Sequence, residues 1–237
     1  MTGEATTEPA LDPPVRRLER RAPRSAGIAG IAFSVLFIGS VLLLTGRPPD
    51  SLDSAGLVAW FETVAKTRTT IAALYLAPFA GIAFLWFLGV VRDRIGDQED
   101  RFFATVFLGS GLLFVAMYWS GVAQLASLVA DNRLEGAPPL SAQTLEHARA
   151  ASFSYMFVLG ARAAAVFVFA TSTIIWRSGT FPRWLAVAGY AIGVVMLVSL
   201  SFLQYVVLLF PIWVFVVSAY VLRSEFRASR ASGAEGR

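Results

Sequence analysis

Six long apolar runs, separated by short polar segments, set the pattern of the chain. They cover residues 27–44, 70–91, 102–130, 151–176, 183–200 and 203–222. An α-helix rises about 1.5 Å per residue, so each run is long enough to cross roughly 30 Å of hydrocarbon, in some cases with tilt. The pattern therefore predicts an all-α, polytopic membrane helix bundle with six transmembrane helices.

The last two runs are separated only by the segment SLSFLQ, residues 199–204. A single helix through both runs would be about 60 Å long, which is twice the thickness of the hydrocarbon core. Two spans joined by a minimal turn fit this length better. A re-entrant hairpin is the alternative, and it would also leave the C-terminus on the same side of the membrane.

The positions of the basic residues predict the orientation, because Lys and Arg are enriched on the cytoplasmic side of membrane proteins. With a cytoplasmic N-terminus, the inner segments hold 14 of these residues and the outer loops hold 5. Both termini are therefore expected in the cytoplasm.

The two ends of the chain are polar and flank a single membrane domain over residues 27–222. Residues 1–26 are rich in Pro, Glu and Arg, which predicts a disordered basic cytoplasmic tail, and residues 223–237 are expected to form a cytoplasmic C-terminal tail. A secretory signal peptide is the alternative interpretation of the first apolar run. The long polar lead-in and the absence of a small-residue cleavage site favour a retained span.

The two longer loops lie on the predicted outer side. The first contains an amphipathic segment whose apolar face comprises Leu57, Trp60, Phe61, Val64 and Ala65. We interpret it as a short helix at the outer interface, and a lid that gates a substrate is the alternative. In the second loop, Ser141 is suited to cap the N-terminus of a helix.

Composition narrows the chemistry that the chain can perform. Hydrophobic residues make up 56% of the chain and charged residues 15%, against roughly 25% charged residues in soluble domains. The chain has no cysteine, its one histidine is His147 in an outer loop, and all 16 acidic residues lie outside the predicted spans. We therefore expect no catalytic residue, no metal site, no cofactor and no enzymatic activity. The dispersed arginines also argue against a nucleic-acid partner.

Arg162 is the one basic residue in the interior of a predicted span, near the expected midplane, since Arg183 stands at the first position of its span. Placing an arginine there costs roughly 2.5–3.5 kcal/mol. Its side chain is expected to point outward, toward the level of Gln124, and Tyr155 lies one heptad earlier on the same helix face. In one interpretation Arg162 bonds polar groups inside the bundle and fixes its packing. In the other, the three residues form an anion or lipid-headgroup site, because a guanidinium without a carboxylate partner suits an external anion.

Two further patterns concern helix packing. Gly189 and Gly193 form a GxxxG motif, which we interpret as a close contact within the bundle rather than a dimer interface. Pro78 and Pro211 are expected to kink their helices.

The segment Phe181–Leu185 reads Phe-Pro-Arg-Trp-Leu and opens a Gly-containing span after a short Arg-containing turn. In this feature the C-terminal third resembles uncharacterised bacterial multi-spanning membrane proteins, of the domain-of-unknown-function type. The resemblance covers about 60 residues at most. It implies a six-helix protein of the bacterial cytoplasmic (inner) membrane, and it assigns no functional residue.

These observations lead to two functional hypotheses. The first is a non-enzymatic structural or partner-binding membrane subunit, in contact with the lipid bilayer and with another membrane protein. The second is a small transporter or channel-like protein for an anionic or amphiphilic solute, with Arg162 as its charge-selective element. Anionic lipid headgroups or small anions are the expected small partners in either case.

Overall fold

The computed structural model describes residues 22–46, 48–95, 101–131, 139–179, 181–199 and 204–234, and these residues form six helices. Three of the helices are uninterrupted: α1, Ala22–Leu44; α3, Arg101–Asp131; and α5, Arg183–Val198. Helix α6, Leu209–Ala234, follows directly on a 3₁₀ segment, Gln204–Leu208. The predicted all-α helical bundle is thus confirmed.

The remaining two helices are long rods that contain wide π-helical turns. Helix α2 joins Ser54–Trp60, Lys66–Ile71 and Ala77–Ile95 through π turns at Phe61–Ala65 and Ala72–Leu76. Helix α4 joins Ala142–Phe153 to Ala161–Ser178 through a π segment, Ser154–Gly160. The expected interface helix in the first loop is therefore continuous with the second apolar helix, and Val64 is exposed rather than part of the apolar face.

Five of the six helices are long and apolar enough to span a membrane, over Gly27–Leu44, Ser54–Arg92, Phe102–Ala130, Ala142–Arg177 and Tyr205–Ser224. The sixth apolar helix, α5, has 16 residues. Its length is about 24 Å, which is less than the roughly 30 Å of the hydrocarbon core. The fifth predicted run therefore forms a helix, but a shorter one than the prediction of 183–200.

The expected boundary segments lie only partly within the described residues. Of the predicted N-terminal tail, residues 1–21 fall outside them, and α1 already begins at Ala22. Residues 200–203 of the predicted turn before α6 are also outside. At the C-terminal end, α6 continues to Ala234 through most of the predicted tail.

The helices alternate in direction, so the bundle has two ends. We call the end at which α1 begins the proximal end and the opposite end the distal end. Helix α1 packs between α2 and α6, α3 packs between α2 and α4, and α5 packs mainly on α4. Since α2 and α4 are about 58 Å and 54 Å long over their apolar helices, part of each extends beyond the hydrocarbon core.

A cluster of phenylalanine rings fills the centre of the bundle. Five helices contribute to it, through Phe33, Phe37, Phe84, Phe114, Phe167 and Phe210. Phe84 illustrates the packing, because its ring centroid lies 4.8 Å from that of Phe33, 5.2 Å from that of Phe167 and 5.3 Å from that of Phe114. Tilted and edge-on arrangements of this kind are the favoured geometries of aromatic pairs.

Hydroxyl and indole groups connect the helices around this centre. Tyr118 Oη donates to Ser40 Oγ at 2.7 Å, and Ser34 Oγ donates to the Pro211 carbonyl at 2.8 Å. Trp119 Nε1 donates to the Ala77 carbonyl at 3.1 Å, directly after a π turn. In a membrane, side-chain donors of this kind add to the backbone hydrogen bonds near a proline or a π turn. Of the two prolines expected to kink their helices, Pro78 lies two residues after a π turn and Pro211 three residues after a 3₁₀ segment.

Two glycines allow unusually close helix contacts. A Cβ atom on Gly189 of α5 would overlap Ser172 Oγ of α4, and one on Gly30 of α1 would overlap Ser218 Oγ of α6. One turn further along α5, a Cβ on Gly193 would lie 3.0 Å from the Phe169 ring. The GxxxG motif therefore makes a contact within the bundle, as expected.

The same contacts show where α5 ends. Gly189 lies opposite Ser172 and Gly193 opposite Phe169 in antiparallel helices. Counting on from these pairs places Val198, the last residue of α5, at the level of residues 163–164 of α4. Helix α4 continues distally for some 20 residues beyond that level. The distal half of this α4 face is therefore not covered by α5.

A second, smaller core stabilises the distal end. Its buried members are Phe61, Leu125, Leu128, Leu145 and Ala148, from α2, α3 and α4. The N-terminal part of α4 is capped as expected, because Ser141 Oγ accepts a hydrogen bond from the Thr144 amide at 3.1 Å. The distal core thus holds α2, α3 and α4 together beside a cavity.

Candidate functional site

Arg162 lies in the first turn after the π segment of α4 and is half-buried. Gly121 and Gly160 place α3 and α4 side by side in antiparallel register, since Gly121 contacts Met156 and Gly160 contacts Met117. Arg162 is therefore level with about Val115, close to the middle of α3.

The guanidinium of Arg162 is bonded to its own helix. Nη1 donates to the Val158 carbonyl at 2.7 Å, so the side chain points toward the distal end, in the expected direction. Leu159 and Val166, one turn before and after Arg162, are exposed. Because α5 ends at this level, Arg162 lies at the bundle surface just distal to the end of α5.

The structure does not bring the three predicted site residues together. Gln124 is half-buried at the level of Phe153, about 13 Å along α4 from Arg162. Tyr155 is also half-buried, but the intervening π segment has wider turns, so a spacing of seven no longer corresponds to two α-helical turns. Among the described residues, no hydrogen bond joins Arg162 to Gln124 or Tyr155.

A cavity at the distal end lies between the end of α1, the first part of α2, α3 and the first part of α4. Its volume is about 130 Å³, and it opens to the surface. Two cationic side chains line it, Arg68 and Arg149, together with the polar residues Thr45, Thr69 and Ser152. Among the residues that the structure describes, no acidic one lines the cavity. Its described lining is therefore cationic, and Arg162 is not among the lining residues.

Aromatic contact positions Arg149. Its guanidinium carbon lies 5.5 Å from the centroid of the Trp60 ring, within the range of a cation–π interaction. Phe61, next to Trp60, is buried in the distal core and anchors this part of α2. Arg68 is exposed on the following turns of the same rod. One arginine is thus held in place and the other can move at the rim.

The nearest acidic side chain along α2 is Glu62, which does not line the cavity. Its carboxylate accepts a hydrogen bond from Lys66 Nζ at 2.6 Å, an ion pair across one turn of the helix. Ser152 Oγ, at the cavity wall, lies 3.6 Å from Met156 Sδ, and a thioether is only a weak acceptor. The cavity thus keeps a positive charge and a weakly engaged hydroxyl donor.

Sequence reasoning did not identify this cavity. Arg68 and Arg149 lie 81 positions apart in two different loops of the predicted topology. The predicted outer loops hold only 5 of the 20 basic residues, so neither arginine stands out in the charge pattern of the sequence. The π turns that orient the two rods leave no recognisable mark in the hydrophobic pattern.

Comparison of the chain with family models, curated proteins and solved structures finds no match in any of the three. The expected bacterial family is therefore not identified. The length and apolar composition of the helices indicate the class of protein. The chain is a multi-pass membrane protein. Its five long apolar helices imply contact with a lipid bilayer, and this integral membrane protein presents two arginine-containing features, at Arg162 and at the distal cavity.

Proposed function

We propose that this protein is a non-enzymatic subunit that binds a partner protein in a bacterial cytoplasmic membrane. It crosses the membrane six times, counting α5, and keeps both termini in the cytoplasm, so the distal end faces outward. The excess of Lys and Arg in the proximal segments supports this orientation.

The packing at the centre of the bundle is the observation that carries the proposal. Phenylalanine rings from five helices meet there, and the ring of Phe210 lies 4.7 Å from that of Phe114 and 5.8 Å from that of Phe167. A solute path through the bundle requires a polar or water-filled interior. Rings packed in this way supply neither, which favours binding over passage.

The hydroxyl groups of the spans support a role without catalysis. Ser110 Oγ donates to the Val106 carbonyl and Thr171 Oγ1 to the Phe167 carbonyl, each within its own helix. A nucleophilic hydroxyl needs a neighbouring base. These hydroxyls serve the backbone instead.

The partner binds at the exposed surface of α4 beside and beyond the end of α5, around Leu159, Arg162 and Val166. No acidic residue of the predicted spans is available to neutralise Arg162. Its hydrogen bond to the Val158 carbonyl uses one N–H group, and the guanidinium has further N–H groups that can donate. The cost of a charge at this depth is relieved by an opposite charge. We therefore expect the partner to be a transmembrane helix that carries a carboxylate.

One observation favours transport instead. The same exposed surface adjoins the end of the short helix α5, and membrane-embedded helix ends line the substrate sites of several transporter folds. In this alternative Arg162 selects an anionic solute in an aqueous cleft on the side of the bundle.

Cysteine labelling separates the two functions, because the natural chain has no cysteine. Single Leu159→Cys and Val166→Cys variants are treated with a charged, membrane-impermeant thiol reagent. Leu52→Cys in a distal loop is the accessible control. Leu112→Cys is the lipid-facing control, since Leu112 is exposed on α3 at about the depth of Val166.

For a partner-binding face, both α4 variants are expected to react as slowly as Leu112→Cys, with no effect of added sulfate. Rapid labelling that sulfate slows would establish an aqueous anion path and contradict the proposal. In native membranes, a photo-reactive residue at position 159 is expected to give a protein adduct that Arg162→Gln abolishes. An adduct that is unchanged by this substitution would argue against the carboxylate-bearing partner.

A further inference from the structure

The distal cavity has features that neither function above uses. It contains two guanidinium groups, from Arg68 and Arg149, and within the described part of the chain neither of them forms an ion pair. At least part of its wall is polar, through Thr45, Thr69 and Ser152. Two cations that line the same cavity repel each other, and an anion bound between them offsets this repulsion. The cavity is therefore built for an anion.

Its size and position restrict the anion. A volume of about 130 Å³ holds several water molecules, and it is smaller than the roughly 300 Å³ of the smallest typical drug-sized pockets. Apolar residues at the end of α1 and on α4 also line the cavity, including Leu43, Leu44 and Phe157. A small charged group at the end of an apolar molecule matches both properties.

We propose that the distal cavity binds a phosphate group, either the headgroup phosphate of an anionic phospholipid or free inorganic phosphate. The forked donors of Arg68 and Arg149 match the oxygens of a phosphate, and charge-assisted bonds of this kind are the strongest that side chains make. Trp60 holds Arg149 from one side, and Ser152 supplies a further donor.

Two probes distinguish the sources of the phosphate. Purified full-length protein is incubated with mixed micelles of phosphatidylglycerol or of phosphatidylcholine with the same acyl chains, and the bound lipid is counted by native mass spectrometry. In parallel, thermal unfolding in detergent is measured without inorganic phosphate and with about 10 mM of it, a concentration that exceeds a millimolar dissociation constant. Binding of phosphatidylglycerol alone identifies the lipid headgroup, and stabilisation by phosphate as well identifies a site for the free anion.

The Arg68→Gln/Arg149→Gln variant is the decisive test. Each lost arginine is expected to weaken binding about tenfold, so the double variant loses the preference for phosphatidylglycerol and any phosphate effect. Arg92→Gln is the matched control, because Arg92 is exposed at the proximal end and its replacement removes the same charge. This variant is expected to bind as the natural protein does.

Two results would overturn the proposal. One is equal binding of the two lipids by the natural protein together with no phosphate effect. The other is a preference that survives in the double variant, because it would then belong to the arginines of the proximal end. If the double variant does not fold, the exposed Arg68→Gln replacement and the charge-preserving Arg149→Lys replacement are used, with loss expected in the first and partial retention in the second.

Discussion

Replacing Phe84 with alanine is expected to lower the free energy of unfolding by about 3 kcal/mol. The Phe84 side chain is fully buried, and its ring contacts rings from α1, α3, α4 and α6. In a membrane, association between helices depends on van der Waals packing rather than on the hydrophobic effect, and lipid chains cannot fill a cavity enclosed by five helices. The measurement is unfolding of the detergent-solubilised protein by sodium dodecyl sulfate, followed by circular dichroism.

Phe79→Ala is the matched control, since Phe79 lies on the same helix and is exposed. Its replacement removes the same atoms from a lipid-facing position and is expected to change stability by about 0.5 kcal/mol or less. Equal effects of the two substitutions would show that the phenylalanine cluster is not the centre of packing. That result would also remove the main support for a binding role.

Replacing Gly189 with alanine is expected to destabilise the protein by about 1–3 kcal/mol. The added Cβ would overlap Ser172 Oγ and lie 3.0 Å from Trp213 Nε1, so α5 has to move away from α4 and α6. Alanine is intrinsically the better helix former by about 1 kcal/mol, and the observed loss is the steric cost less this gain. The same unfolding assay measures it.

A glycine in open space provides the control for this substitution. Nothing lies within 4 Å of a Cβ on Gly89, so Gly89→Ala is expected to leave stability unchanged or to raise it by about 0.5–1 kcal/mol.

Removing the opposing hydroxyl tests the mechanism. Within the described structure, Ser172 Oγ is buried without a hydrogen-bond partner, so Ser172→Ala alone is expected to be neutral or stabilising. Combined with Gly189→Ala, it is expected to recover part of the loss, and the coupling is read from the double-mutant cycle. Strictly additive effects would contradict the direct contact.

Much of the fold follows from properties that are local in the sequence. Apolar runs long enough to cross the bilayer predicted the five long helices, because hydropathy and length decide spanning. Ser141 predicted a helix start, and Gly189 with Gly193 predicted a close internal contact, since each depends on the chemistry of one side chain or its absence.

The parts that could not be predicted depend on contacts between distant segments. A π turn such as Ser154–Gly160 changes which residues share a helix face, and no residue type predicts where such a turn occurs. The grouping of Arg162 with Gln124 and Tyr155 assumed a regular α-helix and stays untested as a function. The end of α5 at Val198 and the meeting of Arg68 with Arg149 are likewise set by tertiary packing.

The early end of α5 also gives the molecule an unequal cross-section. At the proximal end six helices pass through a plane parallel to the membrane, whereas beyond Val198 helix α5 is absent from that plane. In the proposed orientation, the protein thus displaces more lipid from the cytoplasmic leaflet than from the outer one. A wedge of this shape fits best where the cytoplasmic leaflet has the larger area. We therefore expect the number of protein molecules per unit of membrane area to vary with membrane curvature.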